Sequence, residues 1–178
     1  RQMCIRDRSI TVVLSKAGWI RSAKGHDIDP NSLSYRGDDS LQDFARGKSN
    51  QITVFIDSNG KAYSIPSHSL PSARGMGEPI TGRLSADSGV QFISSVIGND
   101  ESRFLIMNTA GYGYISEYKN MISNKKTGRA FMKLPENAKM LKAIPVKDNH
   151  SHIAAVSNIG KLLIFNIKEL PTLAKGKG

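Results

Sequence analysis

One cysteine stands in the whole chain of 178 residues, Cys4. It excludes an internal disulfide and any cysteine-based zinc site, and it fits a reducing compartment. Acidic residues are also scarce. Fifteen Asp and Glu face 25 Lys and Arg, for a formal net charge of +10. A chain this basic points to a polyanion as partner, nucleic acid first. Long apolar runs are missing, and none approaches the roughly 20 residues that span a bilayer. No charged-then-apolar secretory leader opens the chain. Helical periodicity is poor. Residues 134–143 are the one stretch where a helical turn or two fits, and Pro145 ends it. Hydrophobic residues make up 39% and charged residues 22%, ordinary for a globular domain, and a chain this long buries roughly 70% of its unfolded surface.

What is present is a repeat. Four turns share one pattern: Ser15-Lys16-Ala17-Gly18, Asp57-Ser58-Asn59-Gly60, Asn108-Thr109-Ala110-Gly111 and Ser157-Asn158-Ile159-Gly160. Ser, Asp or Asn comes first and Gly fourth. That suits a type I turn whose fourth residue is left-handed, a common closure for a β-hairpin. Glycine fits because a Cβ clashes at positive φ. Apolar runs precede each turn at 10–14, 52–56, 104–107 and 153–156, and β-rich runs follow at 19–20, 62–65, 112–115 and 162–165. The turn glycines are 42, 51 and 49 residues apart. Four hairpins at a period near 50 predict a repeat architecture.

An apolar residue recurs ten positions after each turn glycine: Ile28, Leu70, Met121 and Leu170. It reads as a connecting segment pinned into the core, and in two copies a proline follows, Pro71 and Pro171. Basic residues with glycine come next: Arg36-Gly37, Arg74-Gly75, Lys126-Thr127-Gly128-Arg129 and Lys175-Gly176. Further strand-like stretches lie at 40–45, 80–84 with 90–97, and 130–134 with 140–146. The chain is therefore expected to be all-β, three full repeats and a truncated fourth, with repeats at about 9–50, 51–100, 101–150 and 151–178. It reads as a fragment of something longer. Each unit alone has too little core, so neighbours must stack, as blades do around an axis. Residues 1–8 match nothing in the other repeats and read as a non-native leader. They carry a net +2, leaving +8 on residues 9–178.

No catalytic constellation is visible. His26, His68, His150 and His152 are scattered, and a His150/His152 metal pair has no third ligand. Asp38-Asp39 reads as a solvated turn. Gly75-Met76-Gly77 and Gly111-Tyr112-Gly113 lack the following helix of a phosphate-binding loop. The five tyrosines read as packing residues. Cations, by contrast, recur near the loops of every unit. The candidate contacts to a nucleic-acid backbone are Arg21, Lys24, Arg46, Lys48, Arg74, Lys125, Lys126, Arg129, Lys175 and Lys177. Lys16, Lys61, Arg83, Lys119, Lys133 and Lys161 belong to the same distributed surface. Spread over stacked repeats, such cations form a curved positive track. A track of that kind suits salt-sensitive, sequence-independent contact with DNA phosphates and favours bent DNA.

Several motifs also carry a family resemblance. Residues 12–27 (VVLSKAGWIRSAKGHD), Leu70-Pro71-Ser72-Ala73-Arg74-Gly75 with Gly77-Glu78-Pro79, Ala110-Gly111-Tyr112-Gly113, and Leu134-Pro135-Glu136-Asn137-Ala138 occur in order. Together they resemble the C-terminal domain of the A-type subunit of bacterial DNA topoisomerase IV, from about residue 9 to residue 178. The resemblance implies a β-pinwheel of four-stranded blades, propeller-like, with strands exchanged between neighbours. It implies a domain that holds or bends duplex DNA by a basic perimeter, in support of decatenation and supercoil relaxation during chromosome segregation. The related gyrase domain carries a basic box, Gln-Arg-Arg-Gly-Gly-Lys-Gly. Here Arg74-Gly75-Met76-Gly77 and Ala174-Lys175-Gly176-Lys177-Gly178 are degenerate relatives at most. This departure favours topoisomerase IV and speaks against full, chirally directed wrapping.

The same resemblance implies that this stretch holds no catalytic residue and no cofactor. ATP and Mg²⁺ serve the holoenzyme through other domains and through the B-type subunits. The implied partners are duplex DNA, a second A-type subunit, two B-type subunits and a chromosome-organising condensin, in the bacterial cytoplasm at the nucleoid. The alternative is a propeller-type interaction domain whose basic face meets an acidic protein. A continuous outer belt of cations favours DNA. One compact patch beside exposed apolar side chains favours a protein partner.

Overall fold

The computed structural model describes residues 7–178. Residues 1–6 of the expected leader lie outside the described residues. Its last two join the fold: Ser49 N–H donates to Arg8 O at 2.8 Å, and Lys48 pairs with Asp7 at 2.8 Å.

The four expected turns close four hairpins. These are β1 (Ser9–Ser15) with β2 (Trp19–Lys24), β4 (Ile52–Asp57) with β5 (Lys61–Pro66), β8 (Arg103–Met107) with β9 (Gly113–Glu117), and β12 (His152–Val156) with β13 (Leu162–Asn166). Gly18, Gly60, Gly111 and Gly160 all sit at positive φ, between 76° and 87°. Each donates its N–H to the carbonyl of the first turn residue, at 3.0–3.2 Å. The side chain of that first residue explains its chemistry. Ser15, Asp57, Asn108 and Ser157 each accept the N–H of the residue after the glycine, at 3.0, 3.0, 3.3 and 3.0 Å. A short polar side chain that caps its own turn is what Ser, Asp and Asn supply.

Each of the first three hairpins gains a strand from the chain that follows it. The strands β3 (Leu41–Lys48), β7 (Phe92–Val96) and β11 (Ile144–Val146) fold back onto β1, β4 and β8. The opposite edge is filled from the next unit. A two-residue strand, β6 (Glu78–Pro79), leaves the second hairpin to pair with β2 of the first. Likewise β10 (Arg129–Ala130) leaves the third to pair with β5 of the second. The sheets thus run β3-β1-β2-β6 and β10-β5-β4-β7, then β11-β8-β9, then β12-β13. At the third sheet the exchange place is held by the Ile115–Thr172 bridge. This is a β-pinwheel: an all-β stack of blades that trade edge strands.

The core lies between blades, and strand alternation assigns it. Val12, Leu14 and Ile20 meet Phe55, Tyr63 and Phe92 between the first and second blades. Val54, Ile56 and Ala62 meet Phe104, Ile106 and Tyr114 between the second and third. Leu105 and Ile115 meet Ile153 and Phe165 between the third and fourth. Each large buried side chain contributes about 1.5–3 kcal/mol of burial. No blade has both faces covered without its neighbours.

Two expectations are corrected. The pinned residue of the first repeat is not Ile28, which is only half-buried. Elsewhere a one-turn 3-10 segment follows the second hairpin strand directly, and Leu70 and Met121 after it are buried. In the first blade five residues, 25–29, intervene. The 3-10 turn Pro30–Ser32 takes that place instead, with Pro30 as its buried residue. Residues 134–143 form no helical turn. Met140 is clipped to Asn108 by a β-bridge, with its N–H on Ser58 O at 3.0 Å, and Asn137 sits at positive φ.

Candidate nucleic-acid interface

The blade edges differ. The edges made by β3, β7 and β11 converge on one another, on what we call the inner side. Gln42 Nε2 donates to Ile93 O at 3.2 Å. Asp43 Oδ2 accepts from Ser94 Oγ at 3.0 Å and Ser95 N–H at 2.8 Å. Ala143 N–H donates to Ser94 Oγ at 3.1 Å, which brings in the third blade. Burial pushes the Asp43 carboxyl above the usual carboxylate range, against these hydrogen bonds and the nearby Lys142. The edges made by β6 and β10 are at the far end of each sheet, on the outer side.

The loops that carry the exchange occupy the outer side, and six of the ten candidate cations sit on them. Arg74 precedes β6; Lys125 and Lys126 lead into β10, which Arg129 opens; Lys175 and Lys177 flank Gly176, which is bridged to Met132. All six are exposed, and among the described residues none forms an ion pair. Lys177 lies 4.4 Å over the ring of Tyr112. Glycine is needed where these loops close on the neighbouring blade. A Cβ on Gly77 would sit 2.4 Å from Ile20 O, and one on Gly128 would sit 2.6 Å from the Tyr63 ring. Both glycines also have positive φ.

The other four candidates lie elsewhere. Arg21 is 4% exposed. Its Nη1 donates to Gly75 O at 3.0 Å and its Nη2 to Ser34 O at 2.7 Å, and its guanidinium stacks on Tyr35. It holds the Arg74–Gly75 loop from inside, and its burial keeps it away from a ligand at the surface. Lys24 is exposed at the end of β2. Arg46 and Lys48 are on β3, the inner edge, with Arg46 over the Phe44 ring at 5.3 Å and Lys48 paired with Asp7. Of the wider surface, Lys61 pairs with Asp87 at 2.6 Å and Lys119 with Glu117 at 2.7 Å. One acid in the basic loops escaped sequence reasoning. Glu78 forms an ion pair with Arg83, and the five-residue spacing across Pro79 was the available signal.

The tyrosines are scaffold. Tyr63 donates to Asp57 Oδ2 at 2.9 Å, and burial with the Asp57 charge raises its pKa. Tyr114 donates to Phe131 O at 2.8 Å, and burial raises it likewise. Tyr118 donates to Ile52 O, and burial, with Asp100 nearby, pushes it up to about 12. These phenols stay protonated and are spent as donors. His152 is on β12 while His150 lies in the turn before it, so the two do not share a strand. Among the described residues no cluster of three His, Cys, Asp or Glu is placed to hold a metal, and no helix is long and apolar enough to cross a membrane.

No protein-family model matches the chain. It is 46% identical over 169 residues to the A-type subunit of DNA topoisomerase 4 from Haemophilus influenzae, and 46% identical over 170 residues to that of Pseudomonas aeruginosa. Each match covers 95% of the chain. The chain spans under a quarter of the length of these curated relatives, 23% and 22%. Among solved structures it resembles the E. coli ParC C-terminal domain, with a TM-score of 0.87 and 40% identity over 96% of this chain and 70% of that one. The DNA gyrase A C-terminal domain shares the fold at 17% identity, with a TM-score of 0.71. With the blade order, the exchanged strands and 40% identity across most of the E. coli domain all in agreement, the chain belongs to the family of C-terminal domains found in the A-type subunits of topoisomerase IV.

Proposed function

We propose that this domain holds duplex DNA by its phosphates along the outer blade edges, as the DNA-binding part of a type II topoisomerase. One observation carries the reading. Unpaired, exposed cations recur on the exchange loops at three successive blade edges: Arg74, then Lys125, Lys126 and Arg129, then Lys175 and Lys177. Successive edges of a stacked array follow a curve, so a duplex that follows them bends toward the protein and meets more cations. Phosphate contacts fix position without reading sequence. Rigid blades keep the cations spaced, and Arg21 props the first loop from beneath.

In the full-length protein the domain retains the transported segment near a DNA crossing, in support of ATP-dependent decatenation and supercoil relaxation. Strand breakage, ATP and Mg²⁺ belong to other domains, a second A-type subunit and two B-type subunits, at the nucleoid. An acidic protein partner, a condensin included, fits less well. The exposed apolar side chains Val156, Ile159, Leu162, Leu163 and Ile164 gather on the fourth hairpin, while of the basic loops' surroundings only isolated ones are exposed, Met76 beside Arg74 and Tyr112 beneath Lys177. The test is salt dependence. Six phosphate contacts predict that duplex affinity falls about a thousandfold between about 50 and 200 mM salt, equally for unrelated sequences. Affinity that ignores salt would remove the phosphate track.

A further inference from the structure

A cleft of about 470 Å³ opens at the strongest part of this perimeter, between the second hairpin, the segment that follows β6 and the loop that leads to β10. Its polar lining is Ser64, Ser69, Arg83, Ser123, Asn124, Lys125 and Lys126. Its size falls in the range of about 300–1,000 Å³ of ordinary ligand sites. Three cations around one opening are a donor set for an anionic oxygen, and the walls are tied in place, with the Ser69 hydroxyl spent on Pro66 O at 2.7 Å. Ser123 N–H donates to Ser64 Oγ at 2.8 Å, and Lys125 N–H donates to Ser123 Oγ at 3.2 Å. Ser85 N–H donates to Lys126 O at 2.9 Å, which fixes the segment after Arg83 to the basic loop.

Arg83 is the telling residue. Its Nη1 donates to Ser69 Oγ at 2.9 Å and its Nε is taken by Glu78. Among the described residues nothing takes its Nη2. The guanidinium is held at the cleft with a donor to spare, and the one nearby acid tempers its charge. A partly exposed Arg–Glu pair is weakly held, so a phosphate can compete for it.

We infer that this cleft seats a phosphate group, with Arg83 as the ligand and Glu78 as its competitor, and that the phosphate is a backbone phosphodiester of the bound duplex. The inference rests on the perimeter reading above. It makes Glu78 a brake on DNA binding, a role that neither a scaffold residue nor a bystander has.

The experiment compares Arg83→Gln, Glu78→Gln and the double variant of the chain, with thermal melts as the folding control. Duplex affinity is measured across a salt series. Arg83→Gln is expected to flatten the salt slope by about one and weaken binding, and Glu78→Gln to tighten it. The double variant is expected to bind no tighter than Arg83→Gln alone. If Glu78→Gln tightens binding equally with and without Arg83, only net charge is at work and the cleft is overturned. If inorganic phosphate at constant ionic strength shifts the Arg83 Nε–H resonance while none of the variants alters duplex affinity, the cleft is a free-anion site and the inference also falls. Neutralising Lys125, Lys126 and Arg129 separates this from the wider reading. If that triple change weakens binding while Arg83 and Glu78 are silent, the cleft fails and the perimeter stands. If the triple change is silent too, both fail.

Discussion

Neutralising the second blade's outer loop should change how DNA binding responds to salt, by an amount the structure sets. Lys125, Lys126 and Arg129 all change to Gln. The three are exposed and unpaired, and none contributes to the core, so stability should move by less than about 0.5 kcal/mol per site. If six outer-edge cations each neutralise one phosphate, the slope of log affinity against log salt is about −5.4, and the variant's is about −2.7. Across a fourfold salt range the native chain then loses about a thousandfold in affinity and the variant about fortyfold. Fluorescence anisotropy of a labelled duplex, titrated at four or more salt concentrations, reads both slopes. The same shift should appear with duplexes of unrelated sequence. An unchanged slope, with a melting temperature also unchanged, would refute the assignment of these side chains to phosphates. A loss confined to one duplex sequence would mean base readout instead.

Three further outcomes follow from the scaffold. Arg21→Gln should destabilise by about 1–3 kcal/mol in urea unfolding, since the buried side chain loses its hydrogen bonds to Gly75 O and Ser34 O and its stacking on Tyr35, yet leave the salt slope near the native value. Gly60→Ala should cost more than Gly160→Ala. Both glycines have positive φ, worth about 1–2 kcal/mol, but only at Gly60 would the new Cβ meet Met132 O, at 2.6 Å, while Gly160 has open space. Thermal melts of the two variants decide it, and equal losses would contradict the packing. Asp43 gives the pH dependence. Its carboxyl is raised in the fold, so the folded state holds the proton more tightly than the unfolded chain. The stabilisation is therefore full below the ordinary Asp pKa of about 3.9 and is lost as pH rises through the folded value. Asp43→Asn keeps an acceptor for Ser94 and Ser95 and removes the buried charge. It should match or exceed native stability at neutral pH and flatten that dependence, whereas Asp43→Ala should lose about 1–3 kcal/mol.

What was legible in the sequence was local. The turns could be read because Ser15, Asp57, Asn108 and Ser157 cap their own hairpins and the glycine after them needs positive φ, chemistry confined to five residues. Strand exchange was not legible from the residues themselves. Glu78–Pro79 and Arg129–Ala130 are two residues each, too short for any alternation, and the family resemblance implied exchange without saying which residues carry it. The fixed offset failed at Ile28 because an insertion of five residues moves the 3-10 turn to Pro30. Among the cations, Arg21 and Arg74 look alike in sequence. Packing of the loop that bears Ser34 and Tyr35 buries the first, and strand exchange carries the second to the outer edge. Arg46-Gly47-Lys48 has the composition of the basic loops, yet belongs to the inner strand β3. Which edge a residue reaches is a property of sheet order, and a single strand's sequence does not carry it.

The central claim is that duplex DNA follows the outer edges of the blades. Hydrogen–deuterium exchange with and without a duplex at low salt tests it most directly. Residues 72–79, 123–130 and 172–178 should gain protection, with β3 at 41–48 unchanged. Protection of β3 together with unchanged outer loops would contradict it.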